Sequence, residues 1–270
     1  VLKATKGEHL CGPLCAFNGI ATDTRMMGQG QLFIPLTGAN FDGHEYLMQA
    51  REKGALGALV SSDFDLDDET LQKLETDFVL IKVKDTHQAL LDIAALWRRT
   101  FTDLTVIAVT GTNGKTTVKE MLRWLLSAVG PTIASVKSYN NHIGVPITLL
   151  DIRPYHKFAI VELGASAAGE IAPLAKAVSP DVAVVTNVGK AHLEKFKTVE
   201  KIAETKAEIV KAVRPNGFVV LNGDDRSYPL FLENARTKTV TYAVDSNHAD
   251  IRPTEVVMQT SSIHFDIFGT

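Results

Sequence analysis

Thr105-Val106-Ile107-Ala108-Val109-Thr110-Gly111-Thr112-Asn113-Gly114-Lys115-Thr116-Thr117 passes from an apolar run, through two closely spaced glycines, into a segment with helical patterning. The unbroken apolar run Val106 to Val109 suits a strand covered on both faces. Gly111 and Gly114 permit a tight turn, and the spacing beyond it predicts a helix over Thr116 to Val129. A strand, a glycine-rich loop and a helix N-terminus make a cradle for phosphate. The backbone N–H groups turn toward the anion, and the helix dipole adds partial positive charge. In such a cradle Lys115 reaches the β- and γ-phosphates of a nucleoside triphosphate, and the Thr116 hydroxyl ligates magnesium. The general pattern carries a glycine five residues before Gly114, and here that position is Val109.

The alternation of strand and helix continues downstream. Ile133 to Val136, Phe158 to Val161, Val182 to Val185 and Phe218 to Leu221 are short apolar runs, with helical segments over Glu170 to Ala177 and Val199 to Val213. This pattern predicts an α/β fold with a doubly wound, mostly parallel sheet over residues 85–270. Ile251 to Phe268 alternates as two strands joined near Thr260-Ser261-Ser262, and the chain stops on Gly269-Thr270 with no closing helix, as if cut. Upstream, Leu32 to Leu36 and Ala58 to Ser61 read as strands, and Glu45 to Lys53 as a short helix between them. A longer helix follows over Thr86 to Arg99, with Leu90, Leu91, Ala94, Ala95 and Trp97 on its apolar side. Composition changes near Lys82 to Thr86, so residues 1–84 are expected to form a small mixed α/β domain of their own.

Polar residues fall where the strands end. The run ending at Val161 leads into Glu162, the run ending at Val185 into Thr186-Asn187 with His192 shortly after, and the run ending at Leu221 into Asn222-Gly223-Asp224-Asp225. Open α/β sheets bind ligands beyond the carboxyl ends of their strands. These groups are therefore expected on the same edge as the glycine loop, where a carboxylate such as Glu162 can attend a magnesium ion. One lysine is out of place. In the helix Val199 to Val213, Lys206 lies within the apolar stripe of Ile202, Ala203, Ile209, Val210 and Val213. Either it snorkels, with its stem buried and its head in water, or it has a chemical role.

Bulk properties narrow the field. Of 270 residues, 45% are apolar and 22% charged, which is enough for two cored domains and unlike a disordered chain. A net charge of −3, with no basic run, argues against nucleic acid as a partner. No stretch approaches the roughly 18 to 20 apolar residues of a membrane span, and Val1 to Gly12 lacks the apolar core of a secretory signal. Two cysteines, Cys11 and Cys15, are too few for a zinc site and wrongly spaced for a redox pair, so they read as small apolar residues. A reduced, cytoplasmic location is the expectation.

Taken together, these motifs resemble a known family. Thr110-Gly-Thr-Asn-Gly-Lys-Thr-Thr117 is similar to the phosphate loop of the Mur ligases, the amide-forming ATP enzymes of peptidoglycan synthesis, a family that tolerates a non-glycine at the Val109 position. Asn140-Asn141-His142-Ile143-Gly144-Val145-Pro146, Val161-Glu162-Leu163-Gly164-Ala165 with Gly169-Glu170-Ile171, and Ala191-His192-Leu193-Glu194 resemble its MurF branch. Asp23-Thr24-Arg25 and Gly38-Ala-Asn-Phe-Asp-Gly-His44 are similar to that branch's UDP-contacting domain. The resemblance implies that Gly111, Thr112, Asn113, Gly114, Lys115, Thr116 and Thr117 hold the ATP phosphates, with Asn222 near adenine or ribose. It implies one magnesium ion at Thr116 and Glu162 and a second at His192. Lys206 would be the family's carbamylated lysine, a metal-associated carbon dioxide adduct, so that Lys115, Glu162, His192 and Lys206 form the catalytic set. Thr24, Asn40, Asp42, His44 and Asn141 would contact the nucleotide-sugar substrate. The implied reaction joins D-alanyl-D-alanine to UDP-N-acetylmuramoyl-tripeptide at the cost of ATP, in a chain acting as a monomer. At Ser166 this branch more often carries asparagine, so no role is placed there.

Other readings stay open at this point. Folylpolyglutamate synthetase shares the central domain pattern but has no use for a UDP-binding region in front. Mur ligases have three domains, and the abrupt stop at Thr270 raises the expectation of a nucleotide-binding fragment that turns over slowly or not at all. A GTPase fits poorly, since no Asn-Lys-X-Asp guanine signature occurs.

Overall fold

The structure, a computed structural model, describes residues 1–258 and 263–269. It divides into two compact units, Val1–Trp97 and Arg98–Thr270. The division falls near the end of a helix, later than the change in composition, which lies within a strand and the loop after it.

The first unit contains α1 (Leu2–Thr5), β1 (Glu8–Cys11), β2 (Ile20–Ala21), β3 (Leu32–Phe33), β4 (Thr37–Gly38), β5 (Phe41–Asp42), α2 (Leu47–Glu52), β6 (Gly57–Ser61), α3 (Asp68–Leu74) and β7 (Val79–Val83), and then enters α4 (Thr86–Arg99). Its sheet runs β1-β7-β6-β3-β2, parallel except for β1, while β4 and β5 form a separate hairpin. Phe33, Leu47, Ala50, Ala58, Phe78 and Leu80 pack as its core. The strand expected over Leu32 to Leu36 stops at Phe33, because Pro35 has no N–H to continue the ladder. The helix expected from Glu45 begins at Leu47, after a 3₁₀ turn over Gly43–Tyr46 capped by Asp42. On α4 the buried face uses Ile93 in place of Trp97, which is 37% exposed.

The second unit contains β8 (Thr105–Thr110), α5 (Lys115–Ser127), β9 (Thr132–Ala134), α6 (Gly144–Leu150), β10 (Phe158–Glu162), α7 (Ile171–Val178), β11 (Val182–Val185), α8 (Leu193–Phe196), α9 (Val199–Lys211), β12 (Phe218–Asn222), α10 (Tyr228–Asn234), β13 (Lys238–Tyr242), β14 (Ile251–Met258) and β15 (Ile263–Gly269). Among the described residues these strands form one sheet in the order β15-β14-β13-β12-β11-β8-β10-β9. It is parallel from β9 to β14, and β15 returns antiparallel to β14. The two terminal strands expected from sequence are present, and the turn expected at Thr260-Ser261-Ser262 lies outside the described residues. The short helices α6 and α10 and the strand β13 were not foreseen. Each helix is only seven residues long and begins with a proline close to its start, so neither builds a clear helical period.

Strand order reverses at β8. The chain leaves β8 in one direction to reach β9, and after β10 it crosses to β11 and continues the other way through β12 and β13. Since such crossovers are right-handed, α5 covers one face of the sheet and α7 and α9 the other. The α5 face is apolar: Ile107, Val109, Ile160 and Val184 pack against Val118, Leu122 and Leu126. Ligands of open α/β sheets bind where the order reverses, and the glycine loop follows the strand at that point.

Among the described residues no helix is long and apolar enough to cross a membrane. Cys11 is half-buried, Cys15 is exposed, and both are free thiols.

Candidate functional site

The site is assembled at the carboxyl ends of β8, β10 and β11. Residues on β10 alternate between faces, so Glu162 follows Ile160 onto the face covered by α5. A carboxylate thus takes an apolar position one turn from the positive end of a helix. Glu162 is 1% exposed. Its Oε2 accepts from Thr116 Oγ1 at 2.8 Å, its Oε1 from Asn140 Nδ2 at 2.8 Å, and its backbone N–H donates to Ser135 Oγ at 3.1 Å.

The loop itself is built on two unusual glycines. Gly111 has φ of 151°, and a Cβ there would lie 1.9 Å from Thr186 Oγ1. Gly114 has φ of 79° and caps α5, with open space where a side chain would begin. Thr186 and Asn187, at the end of β11, strap the loop from the side. Asn187 O accepts the Thr112 N–H at 2.8 Å, Asn187 Oδ1 accepts the Asn113 N–H at 3.0 Å, and Thr186 Oγ1 donates to Asn113 O at 2.6 Å. Lys115 curls over the loop, its Nζ donating to Gly111 O and Thr112 O, each at 3.0 Å. Burial pushes the Lys115 pKa down, against the opposing charge of Glu162.

Lys206 does not snorkel. It is 5% exposed, and its Nζ donates to Gly111 O at 3.0 Å. Burial, and next the charge of Lys115, push its pKa down to about 8. The misfit in the stripe of α9 therefore ends inside the site, as an amine of which about a tenth is neutral at pH 7, far more than of an ordinary lysine.

A cleft of about 340 Å³ opens above these groups, lined by Gly111, Lys115, Asn141, Glu170, His192 and Lys206 among others. His192 sits at the start of α8 in a left-handed conformation with φ of 50°. Asn141 lines the cleft while its Oδ1 accepts the N–H groups of Ile143 and Gly144 at the start of α6. Ser166 donates its backbone N–H to Glu170 at 2.7 Å. Asn222 lies on the far side of Thr186, whose carbonyl accepts from Asn222 Nδ2 at 3.2 Å and from the Tyr242 hydroxyl at 3.0 Å.

The remaining candidates lie in the first unit. His44 is 2% exposed, donates from Nδ1 to Asp42 Oδ1 at 2.5 Å, accepts the Ser61 N–H at Nε2 at 3.0 Å, and stacks on Phe64. Both its nitrogens are used in holding the β5 turn against β6. Thr24 is also buried and donates to Gln49. Asn40 is exposed at the tip of the β4–β5 hairpin.

The residues fit a magnesium ion. Thr116 Oγ1 and Glu162 Oε2, 2.8 Å apart, are close to the roughly 3.0 Å between neighbouring oxygens around an octahedral ion with 2.0–2.1 Å bonds. Among the described residues no three His, Cys, Asp or Glu side chains converge.

Sequence reasoning missed several supporting residues: Ser135 and Lys119 behind Glu162, and Tyr242 behind Thr186. It also missed Arg98, at the amino ends of the strands and away from the site. Arg98 is 3% exposed and holds Val178 O, Phe101 O and Ser179 O. Most of these act on backbone atoms, which leave no pattern in the sequence.

Comparison with known proteins agrees with this geometry. The Mur ligase middle domain matches residues 109–270, and the description "Mur ligase family, catalytic domain" matches residues 16–98. The UDP-N-acetylmuramoyl-tripeptide–D-alanyl-D-alanine ligase of Bacillus subtilis is 36% identical over 93% of this chain and 52% of its own length. That of Escherichia coli is 38% identical over 82% of this chain and 46% of its own length. A crystal structure of MurF from Acinetobacter baumannii superposes with a TM-score of 0.89 at 32% identity, covering 99% of this chain and 57% of that one. MurF ligase from Thermotoga maritima in complex with ADP does so at 0.80 and 28%, covering 93% and 56%. The chain thus spans about half the length of the relatives it matches. Matched by the family's models over residues 16–98 and 109–270, and by these relatives over most of its length, this chain belongs to the Mur ligase family and aligns with that family's MurF branch.

Proposed function

We propose that this chain is the nucleotide-activating part of an ATP-dependent peptide ligase that joins D-alanyl-D-alanine to UDP-N-acetylmuramoyl-tripeptide in peptidoglycan precursor synthesis. The observation that carries this reading is the Thr116–Glu162 contact beside the phosphate loop at the point where strand order reverses. The names of the relatives support the choice of substrates.

The chemistry follows from the weak electrophilicity of a carboxylate. The terminal carboxylate of the tripeptide attacks the γ-phosphorus of ATP, the bond to the β-phosphate oxygen breaks, and ADP leaves. The amine of D-alanyl-D-alanine then attacks the acyl phosphate, and an amide forms as phosphate and a proton leave. Backbone N–H groups of residues 111–117 hold the phosphates, and Lys115 swings from Gly111 O to the transferring phosphoryl group. Thr116 and Glu162 would hold a magnesium ion, which supplies positive charge against the phosphate oxygens. His192 faces the cleft as the candidate ligand of a second ion. Lys206, as a neutral amine, adds carbon dioxide to form an N–C bond and loses a proton, giving an anionic carbamate that reaches the same cleft. Asn222 would lie beside the adenine or ribose and Asn141 beside the peptide substrate. Thr24, Asn40, Asp42 and His44 would shape the nucleotide-sugar site, His44 and Asp42 through the turn they hold. The ligase would act as a monomer in the cytoplasm.

Titration of this chain with ADP and with ATP, in magnesium and in EDTA, tests the nucleotide half. Mass detection of the pentapeptide product from all three substrates tests the whole reaction. Absence of magnesium-dependent nucleotide binding would overturn the reading.

A further inference from the structure

Lys119 is fully buried, on the same face of α5 as Thr116 one turn earlier. Its Nζ donates to Ser135 O at 2.7 Å and to Lys137 O at 2.6 Å, and lies 3.0 Å from Glu120 Oε1. An ammonium has three N–H groups, and here three acceptors surround it. A buried amine is costly unless so satisfied, and an apolar residue in its place would leave two carbonyls without a donor.

The segment that Lys119 holds is the one that holds Glu162. Ser135 Oγ accepts the Glu162 N–H. Lys137 has φ of 49°, a conformation costly for a residue with a side chain and maintained by its surroundings. That bend leads into Asn140, whose side chain donates to Glu162 Oε1 and whose carbonyl accepts the Gly164 N–H at 2.8 Å. Residues 135–140 therefore touch Glu162 at its backbone and at its carboxylate, and Lys119 clamps their first half at two carbonyls.

We infer that Lys119 is a positioning residue that sets the angle of the Glu162 carboxylate, and hence magnesium binding, by clamping the bend at Ser135–Lys137. This rests on the proposed role of Thr116 and Glu162 toward magnesium.

The test compares the wild-type chain with Lys119→Met and Ser135→Ala, titrated with ADP in magnesium and in EDTA, with circular dichroism to verify folding. The expected result is a loss of magnesium-dependent ADP affinity of roughly 10- to 100-fold, the range for groups behind metal ligands. Affinity in EDTA, which depends on the loop backbone, should stay within about threefold of wild type. A purely structural lysine would change both affinities together or neither, and either result overturns the inference. Should Lys119→Met fail to fold, Lys119→Gln, whose shorter side chain cannot reach both carbonyls, takes its place with the same expected and overturning results, while Ser135→Ala tests the link from the bend to Glu162. If the wild-type chain itself binds ADP without regard to magnesium, it is the proposed function that fails, and the inference falls with it.

Discussion

Lys115 and Lys206 place their Nζ atoms on one and the same carbonyl oxygen, that of Gly111, each at 3.0 Å. Two amines converging on a neutral acceptor repel one another, and Lys206, the more deeply buried, has the pKa pushed down to about 8. In an unfolded chain it would return toward 10.5, so the folded state binds its proton less tightly. Below about pH 8 both states are protonated and the folded state bears the full cost. As pH rises from about 8 to 10.5 the folded state releases the proton first, and stability increases. The full displacement corresponds to about 3 kcal/mol. Lys206→Met should remove this rise and be the more stable protein at pH 7, as read from urea unfolding in carbon dioxide-free buffer at a series of pH values. An equal pH slope in both proteins would refute the assignment.

The same amine should take up carbon dioxide. Incubation with ¹³C-bicarbonate is expected to give a carbamate carbonyl resonance that is absent from Lys206→Ala. That variant should lose ligase activity without rescue by excess bicarbonate. Wild-type turnover by Lys206→Ala would reduce the residue to a buried structural amine.

The Thr116–Glu162 pair makes a separate prediction. Thr116→Ala and Glu162→Gln each remove one oxygen suited to magnesium while leaving the loop backbone in place. Each should weaken magnesium-dependent nucleotide binding by at least the roughly 10- to 100-fold of groups behind a metal ligand, and the double variant should lose little more than the worse single one. Calorimetric titration with ADP at fixed magnesium separates these outcomes, since additive losses would mean that the two groups act independently.

The two loop glycines should differ in cost. At Gly114 alanine meets no neighbour and bears only the left-handed backbone, about 1–2 kcal/mol. At Gly111 the added Cβ also collides with Thr186 Oγ1, and the loss should be about 3 kcal/mol or more. Thr186→Ala should recover part of the Gly111→Ala loss and none of that from Gly114→Ala. Urea unfolding of each glycine variant, of each combined with Thr186→Ala, and of Thr186→Ala alone measures this, and equal costs at the two glycines would show that the strap of β11 does not press on the loop.

What the sequence discloses follows the range of the interactions. The phosphate loop is legible because its chemistry is confined to one short stretch. Glu162 is legible because it stands where an unbroken apolar strand ends, the edge at which open sheets bind ligands. Lys206 stands out as an error in the stripe of α9, yet the stripe could not tell burial from snorkelling, since that depends on where the neighbouring loop carbonyl lies. Lys119 gave no signal at all: it neighbours Val118 on an amphipathic helix and serves two carbonyls sixteen and eighteen residues away. His44 became a substrate candidate through the resemblance of its motif to the family's UDP-contacting domain; that its ring bridges Asp42 and the Ser61 N–H depends on a strand seventeen residues away and is not legible from the motif. Trp97 followed the apolar side of α4 by type, but a bulky indole at the end of a helix remains partly in water.

The pairing of β10 with β8, which sets Glu162 beside Val109 and Ile160 beside Ile107, acts as a ruler with a graduation of two residues. Deleting any single residue from within β10 would turn the carboxylate toward α7 and α9 and present a hydrocarbon to the phosphate loop. Removing two would restore its direction but shorten its reach by nearly 7 Å, about twice the rise per residue of a strand. Changes in length are consequently harmless only in the connections, and the spacing of this site is inherited in whole strands or not at all.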